Sequence, residues 1–190
     1  MFIVKKNYYL YIENIKALNF NLIKKRSKFS IIYRQQEKNN NFRDVIAFRK
    51  QCKKKGIDFY IANNLNLAIR LKADGLYISA YNKKINFSKI HKKNLKIIGA
   101  AHNIKEINIK RKQGCKEIIF SRLFKTNYPE KETFLGVTKF NLVCILAKQK
   151  FVPLGGIKSN NFGRTKLINT NSIAILSEIK KKPAIISRLF

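Results

Sequence analysis

Eight short apolar runs alternate with amphipathic segments along this chain, and this alternation constrains the fold more than any other feature. The runs are rich in Ile, Val, Phe and Tyr, as strands buried on both faces of a parallel sheet tend to be. They span residues 8–12, 29–33, 58–62, 75–79, 96–99, 117–120, 152–154 and 173–176. Apolar residues between the runs recur at intervals of three and four, which indicates helices. Strands and helices in alternation predict a parallel α/β fold.

Local signals at the ends of the helices support this alternation. Asn103 is a typical cap for a helix over 104–113. A helix over 42–55 presents an apolar face and ends at Gly56. We therefore predict a single (β/α)8 TIM barrel, formed by residues 1–190 as one domain. A doubly wound open sheet is the alternative that the same alternation allows.

The composition is typical of a folded globular protein, with 45% hydrophobic residues. No apolar run approaches the ~18 residues that a membrane-spanning helix needs. The first lysines follow the apolar residues at the start of the chain, so we expect no signal peptide. Cys52, Cys115 and Cys144 are too widely spaced for a disulfide framework or a zinc site. These features predict a cytoplasmic protein without a membrane partner.

The chain carries a formal net charge of +31, from 41 Lys and Arg against 10 Asp and Glu. Such a charge attracts polyanions, so a basic polyanion-binding or nucleic-acid-binding protein on a barrel scaffold is one hypothesis. The lysines are spread along the whole chain, however, and Asn and Ile, whose codons are also rich in A and T, are abundant. Genome base composition explains this pattern without a nucleic-acid partner, and we favour that explanation.

Residues 152–157, Val-Pro-Leu-Gly-Gly-Ile, predict an anion site. Without a Cβ, Gly155 and Gly156 let backbone N–H groups approach an anion closely. The run at 173–176 leads to Ser177, and the phosphate site of an eight-stranded barrel lies after its last two strands. We therefore predict that the chain binds a phosphate ester here. We also expect a valine at Gly156 to fill the place of the anion while leaving the fold intact.

Six segments, in chain order, resemble the motifs of one family. They are residues 60–68, 71–79, 97–101, 120–126, 154–157 and 174–177. The first five are similar to the motifs I-I-N-D-x-x-x-L-A, A-D-G-V-H-x-G, I-I-G-x-S, G-P-x-F-x-T and G-G-I, and the sixth is similar to the final strand. With them the chain resembles the thiamine-phosphate synthase and thiazole tautomerase family, whose members are (β/α)8 barrels. The order of the motifs is more specific than any one of them.

The resemblance implies a transferase of thiamine biosynthesis. Synthases of the family join a pyrimidine, activated as its diphosphate, to a thiazole phosphate and release pyrophosphate, while Mg²⁺ holds the diphosphate. The partners of the chain would then be small-molecule phosphate esters. The family's tautomerases use a histidine after the sixth strand, where this chain has Arg122. A tautomerase-like relative, or a protein that binds thiazole or thiamine phosphate without Mg²⁺, is the alternative.

The resemblance also assigns candidate site residues. Arg34, after the second strand, and Lys131, in the polar loop over 125–135, would be the catalytic cations. The substrate-binding positions would be Asn63, Thr126, Gly155, Gly156 and Ser177.

Two asparagines, Asn64 and Asn82, occupy the positions of the family's metal-binding aspartates. Asn64 is also a typical cap for a helix over 65–72. Replacing two carboxylates by amides removes two negative charges, and Mg²⁺ binds chiefly through charge and oxygen ligands. We therefore expect a degraded metal site. If the chain retains synthase activity, Mg²⁺ is its expected cofactor, and otherwise we expect no cofactor.

Overall fold

The computed structural model describes residues 7–18, 20–22, 29–35, 41–84, 95–126 and 133–175, which contain one sheet of eight parallel strands. The strands are β1 (Asn7–Ile12), β2 (Phe29–Tyr33), β3 (Asp58–Ala62), β4 (Gly75–Ile78), β5 (Lys96–Ala101), β6 (Glu117–Ser121), β7 (Lys150–Leu154) and β8 (Ser172–Ile175). Each end lies within two residues of the corresponding predicted run.

The order of the strands shows a barrel. Each strand from β1 to β7 pairs with the next in the chain, and β8 pairs with β1. The two ends of this order, β7 and β8, lie side by side, so the sheet is nearly closed. The predicted (β/α)8 barrel is therefore confirmed. An open doubly wound sheet, in which the strand order reverses, is excluded.

Helices connect successive strands on the outside of the barrel. They are α1 (Phe42–Lys54), α2 (Leu65–Arg70), α3 (Ile104–Lys112) and α4 (Gly136–Ala147). Two short 3-10 helices, Ile15–Ala17 and Phe20–Leu22, lie between β1 and β2, and a third, Phe162–Leu167, lies between β7 and β8. The predicted caps are present, since Asn64 Oδ1 accepts from the Leu67 N–H and Asn103 Oδ1 from the Glu106 N–H, each at 2.9 Å. Within the described ranges, no helix has the length and apolar character that crossing a bilayer requires.

Tyrosines fill much of the barrel interior. Tyr9 and Tyr60 meet edge to face with ring centroids 5.9 Å apart, and Tyr11 and Tyr77 do so at 5.5 Å. The Tyr9 hydroxyl donates to Glu117 Oε2 at 2.8 Å, which satisfies the polar end of this ring inside the barrel. Burial raises the pKa of all four hydroxyls, so each is a neutral hydrogen-bond donor near pH 7.

Asp74 joins α1 to the start of β4. Because Asp-Gly is a turn pair, the sequence predicts that Asp74 hydrogen bonds within its own turn. Instead, its Oδ1 accepts from Arg49 Nη2 at 2.8 Å and its Oδ2 from the Phe59 N–H at 2.7 Å. Arg49 also donates twice to the Lys72 carbonyl. The turn prediction is therefore wrong, and the ion pair explains why an arginine lies on the buried face of α1.

Replacing Asp74 by asparagine should destabilise the fold. The Arg49 guanidinium would stay buried without its counter-charge, at a loss of about 2–4 kcal/mol in the free energy of unfolding. The more exposed pair of Lys96 and Asp58, with Nζ and Oδ2 2.6 Å apart, provides the control. Asp58→Asn should cost at most about 1 kcal/mol. Urea denaturation followed by circular dichroism measures both, and equal losses would contradict this role of Asp74.

Candidate functional site

A cavity of about 370 Å³ opens at the carboxyl ends of the strands, and residues that belong to or directly follow each of the eight strands line it. This cavity is called the mouth below. Five of the predicted site residues line it: Arg34, Asn63, Thr126, Gly155 and Gly156. Lys131 and Ser177 lie outside the described residues. The structure therefore brings the predicted catalytic arginine and four predicted substrate-binding positions to one place.

The chain after β7 forms a loop of backbone donors at one side of the mouth. Gly155 has a φ of 102° and Gly156 a φ of 67°, values that favour glycine. Within the described part of the chain, no group accepts a hydrogen bond from the N–H of Gly155, Gly156 or Ile157. Successive free N–H groups at positive φ are a typical anion-binding arrangement.

Gly156 is required by packing as well as by conformation. A Cβ at this position would collide with the carbonyl oxygen of Phe124 and lie 2.5 Å from that of Lys125. The side of Gly156 that lacks a side chain therefore faces the loop after β6. The expectation that a valine here would fill only the place of the anion is wrong, because it would first displace that loop.

Asn161 holds the glycine loop after β7 through two hydrogen bonds, a role that the sequence did not indicate. Its Nδ2 donates to the Gly156 carbonyl at 2.7 Å, and its Oδ1 accepts from the Lys158 N–H at 2.8 Å. The Gly155 carbonyl accepts from the Phe124 N–H at 3.0 Å. Both glycine carbonyls thus have donors that fix the loop, and no described group accepts from the glycine N–H groups.

Two buried hydroxyls in the wall of the mouth, those of Tyr11 and Thr126, make no hydrogen bond of good geometry to a described residue, although the Tyr11 hydroxyl lies near that of Tyr77. Buried polar atoms nearly always have a partner, so an unpaired pair in a cavity indicates a place for a ligand. Thr126 was predicted from the sequence and Tyr11 was not. The available signal was its position as the last inward-facing aromatic residue of β1, two residues after the inward-facing Tyr9.

Two arginines line the mouth from opposite sides, because β2 and β6 are separated by three strands either way around the barrel. The Arg34 N–H donates to the Ile12 carbonyl at 2.9 Å, while its guanidinium has no hydrogen-bond or ion-pair partner among the described residues. Arg122 donates from Nε to the Thr133 carbonyl at 3.1 Å and from Nη2 to Thr133 Oγ1 at 3.4 Å. No carboxylate is among the described lining residues, so the mouth favours an anion.

His102 and Ser121 form a hydrogen-bonded pair between the mouth and a second cavity of about 420 Å³ beside it. The distance from His102 Nδ1 to Ser121 Oγ is 2.6 Å. The His102 N–H donates to Glu106 Oε2 at 2.7 Å, which fixes the backbone at the start of α3. The mouth thus contains an imidazole with one ring nitrogen engaged.

Of the two positions that the resemblance assigns to metal ligands, Asn82 is hydrogen-bonded to Asn63 beside the mouth, whereas Asn64 bonds within its own helix turn. Asn64 Oδ1 caps α2, and Asn82 Oδ1 accepts from the Lys84 N–H at 3.1 Å. Asn82 Nδ2 donates to Asn63 Oδ1 at 3.3 Å. Nowhere in the described ranges do three His, Cys, Asp or Glu side chains group to hold a metal. The donor set does not fit Mg²⁺, which needs carboxylate charge.

Comparison with known proteins gives consistent matches. A family described as thiamine monophosphate synthase matches residues 2–179. Thiamine-phosphate synthases from Prochlorococcus marinus and Persephonella marina are 27% and 26% identical over 154 and 156 residues, or 78% and 80% of this chain. The chain spans 44% of the Prochlorococcus protein and 74% of the Persephonella protein. A synthase from Clostridium perfringens is 22% identical over 90% of this chain and 87% of its own length.

Solved structures show the same fold. A thiamine phosphate pyrophosphorylase from Pyrococcus furiosus has a TM-score of 0.73 at 18% identity, covering 97% of this chain and 94% of that chain. A 3-hexulose-6-phosphate synthase has a TM-score of 0.69 at 12% identity, covering 96% of both chains. At these identities the likeness concerns the barrel architecture alone.

Thr126→Val should separate ligand binding from stability. Because the Thr126 hydroxyl has no described partner, its removal should leave the melting temperature unchanged or raise it, while phosphate binding weakens about tenfold. Thr165→Val is the matched control, since Thr165 is buried and its Oγ1 donates to the Phe162 carbonyl at 2.6 Å. That variant should lose about 1–3 kcal/mol of stability. Thermal melting and calorimetric titration with inorganic phosphate measure both effects, and a destabilised Thr126→Val would contradict a ligand role.

Proposed function

Because the chain belongs to the thiamine monophosphate synthase family, we propose that it joins a pyrimidine diphosphate to a thiazole phosphate, forming thiamine phosphate and pyrophosphate. It does so in the cytoplasm, on small-molecule phosphate esters. One observation carries the proposal: the mouth combines free backbone N–H groups with two unpaired buried hydroxyls and two arginines. These groups are donors for phosphate oxygens.

The thiazole phosphate binds at the glycine loop after β7. The N–H groups of Gly155, Gly156 and Ile157 donate to the phosphate oxygens, as backbone donors at positive φ commonly do. Thr126, in the loop after the neighbouring strand β6, supplies a hydroxyl donor. Asn161 holds the loop in this conformation before the ligand arrives, so little ordering is required on binding.

Charge develops on the departing diphosphate during the reaction. The bond between the pyrimidine methylene carbon and the diphosphate oxygen breaks, and its electron pair leaves with the diphosphate. The lone pair of the thiazole nitrogen then forms the new C–N bond, and no proton is gained or lost. The unpaired guanidinium of Arg34 donates to the leaving oxygens, where preorganised donors contribute most to the rate.

The inner wall of the mouth protects the pyrimidine cation that forms when the diphosphate leaves. Tyr11, Tyr77, Ala100 and Ala174 are buried residues on this wall, and they exclude water that would capture the cation. The aromatic faces of the two tyrosines also attract positive charge. Burial keeps their hydroxyls protonated, because it raises the pKa of both.

Members of the family generally depend on Mg²⁺, which supplies positive charge to the leaving diphosphate when it is bound. The amides of Asn64 and Asn82 do not fit this ion. The steps above are therefore assigned to the residues of this chain alone.

A tautomerase-type proton transfer is the second candidate, and the His102–Ser121 pair favours it. The position where the family's tautomerases have a histidine holds Arg122, but His102 reaches the end of β6 from the adjacent strand. With Nδ1 engaged by Ser121, the other ring nitrogen of His102 is the group that would move a proton.

A product assay tests the synthase proposal. The protein is incubated with thiazole phosphate and pyrimidine diphosphate, and thiamine phosphate is detected by fluorescence after oxidation. Arg34→Gln should lower kcat/KM about 100-fold. Arg111→Gln, an exposed arginine in the last turn of α3, should leave it unchanged. No product from the folded native protein would contradict the synthase, and thiazole isomerisation that His102→Asn abolishes would support the second candidate.

A further inference from the structure

The amide network beside the mouth offers few oxygens to a cation. Asn63 Oδ1 accepts from the Ser79 N–H at 2.9 Å and from Asn82 Nδ2 at 3.3 Å, which uses both of its lone pairs. Among the three asparagine side chains, only Asn64 Oδ1 and Asn82 Oδ1 keep a lone pair. Each of these is uncharged and already accepts one N–H.

Two backbone carbonyls after β4, those of Asn82 and Lys84, accept hydrogen bonds from side chains of α3 and its C-cap, including a buried lysine. Lys110 is fully buried, and its Nζ donates to the Asn82 carbonyl at 2.8 Å and to Gln113 Oε1 at 3.0 Å. Gln113 Nε2 donates to the same carbonyl at 2.9 Å and to the Lys84 carbonyl at 2.6 Å. The Asn82 carbonyl thus also has two donors. These carbonyl oxygens are therefore already occupied by N–H donors.

Positive charge is supplied to the mouth by side chains. Arg34 and Arg122 carry two unit charges between them, which equals the charge of one divalent cation. Their guanidinium groups bind phosphate oxygens through paired N–H donors. Each has donors that no described residue uses, and they line the same cavity from opposite strands of the barrel.

We propose that the mouth holds a diphosphate as a free anion between Arg34 and Arg122, with no divalent cation joining it to the protein. The proposal rests on the proposed function, since the synthase reaction brings a diphosphate to this mouth. It replaces a metal held by carboxylates with two guanidinium groups and neutral amides.

Calorimetric titration with pyrophosphate tests the proposal on the native protein. The affinity measured in EDTA should be unchanged or reduced when excess Mg²⁺ replaces the chelator, because Mg²⁺ competes for the free anion. An affinity that rises about tenfold or more with Mg²⁺ would overturn the proposal. No binding in EDTA would overturn it as well.

Two arginine variants test which cations are responsible. Arg122→Gln should weaken pyrophosphate binding in EDTA about tenfold or more, because it removes a charged donor. Arg111→Gln is the control and should bind as the native protein does. Unaltered binding by Arg122→Gln, with a native melting temperature, would overturn the role of Arg122.

Restoring the carboxylates should restore a metal requirement. The double variant Asn64→Asp/Asn82→Asp should bind pyrophosphate more weakly in EDTA and regain affinity with Mg²⁺. The control is Asn41→Asp/Asn103→Asp, which adds the same two charges at the caps of α1 and α3. If Mg²⁺ raises the pyrophosphate affinity equally in both double variants, the assignment of metal exclusion to the amides of Asn64 and Asn82 is overturned.

These measurements distinguish failure of the inference from failure of the proposed function. If the protein forms thiamine phosphate but binds pyrophosphate only with Mg²⁺, the metal-free anion site is overturned and the synthase proposal stands. Metal-independent pyrophosphate binding without product would support the inferred anion site and overturn the synthase.

Discussion

The tyrosines inside the barrel, which meet in edge-to-face pairs, govern where this molecule can bind a ligand. Tyr9 and Tyr11 are two residues apart on β1, so both rings point inward. The Tyr9 hydroxyl donates to Glu117, whereas the Tyr11 hydroxyl, at the mouth, makes no hydrogen bond of good geometry to a described residue. Leaving a buried hydroxyl unpaired costs about 1–3 kcal/mol. The rest of the barrel core offsets this cost, and a bound phosphate ester would remove it.

The asparagines beside the mouth show how a fold can be kept while its electrostatics change. Asparagine and aspartate cap helices about equally well, so the start of α2 is insensitive to which of them occupies position 64. The charge of the mouth does depend on which residue occupies this position, because a carboxylate attracts a dication and an amide does not. With Asn64 and Asn82 neutral, the described lining of the mouth includes Arg34 and Arg122 and no carboxylate. The proposed anion site therefore needs no metal at the two positions that the resemblance assigns to metal ligands.

The strands, the caps and the glycine pair could be predicted because their signals are local, whereas Arg34, Asn63 and Thr126 were assigned from the family resemblance. A strand buried on both faces is a continuous apolar run, and a cap precedes the helix that it serves. The partners of Asp74 could not be predicted, since Arg49 lies 25 residues earlier and meets it only in the folded barrel. The same holds for Gly156, whose neighbours belong to the loop after β6. In the sequence, Tyr11 cannot be distinguished from a core tyrosine, because only the folded barrel shows that it lines the mouth.

The overall positive charge and the charge of the mouth are separate features. Lys53 and Lys54 lie in the last turn of α1, and Arg111 and Lys112 lie in the last turn of α3, where they complement the helix dipoles. A helix that follows a strand runs back along the barrel, so these cations lie at the face opposite the mouth. Exposed charges at distances beyond about 8 Å are largely screened at physiological ionic strength. These cations at the helix ends therefore add little to the preference of the mouth for an anion. That preference depends on the two arginines that β2 and β6 carry into the cavity.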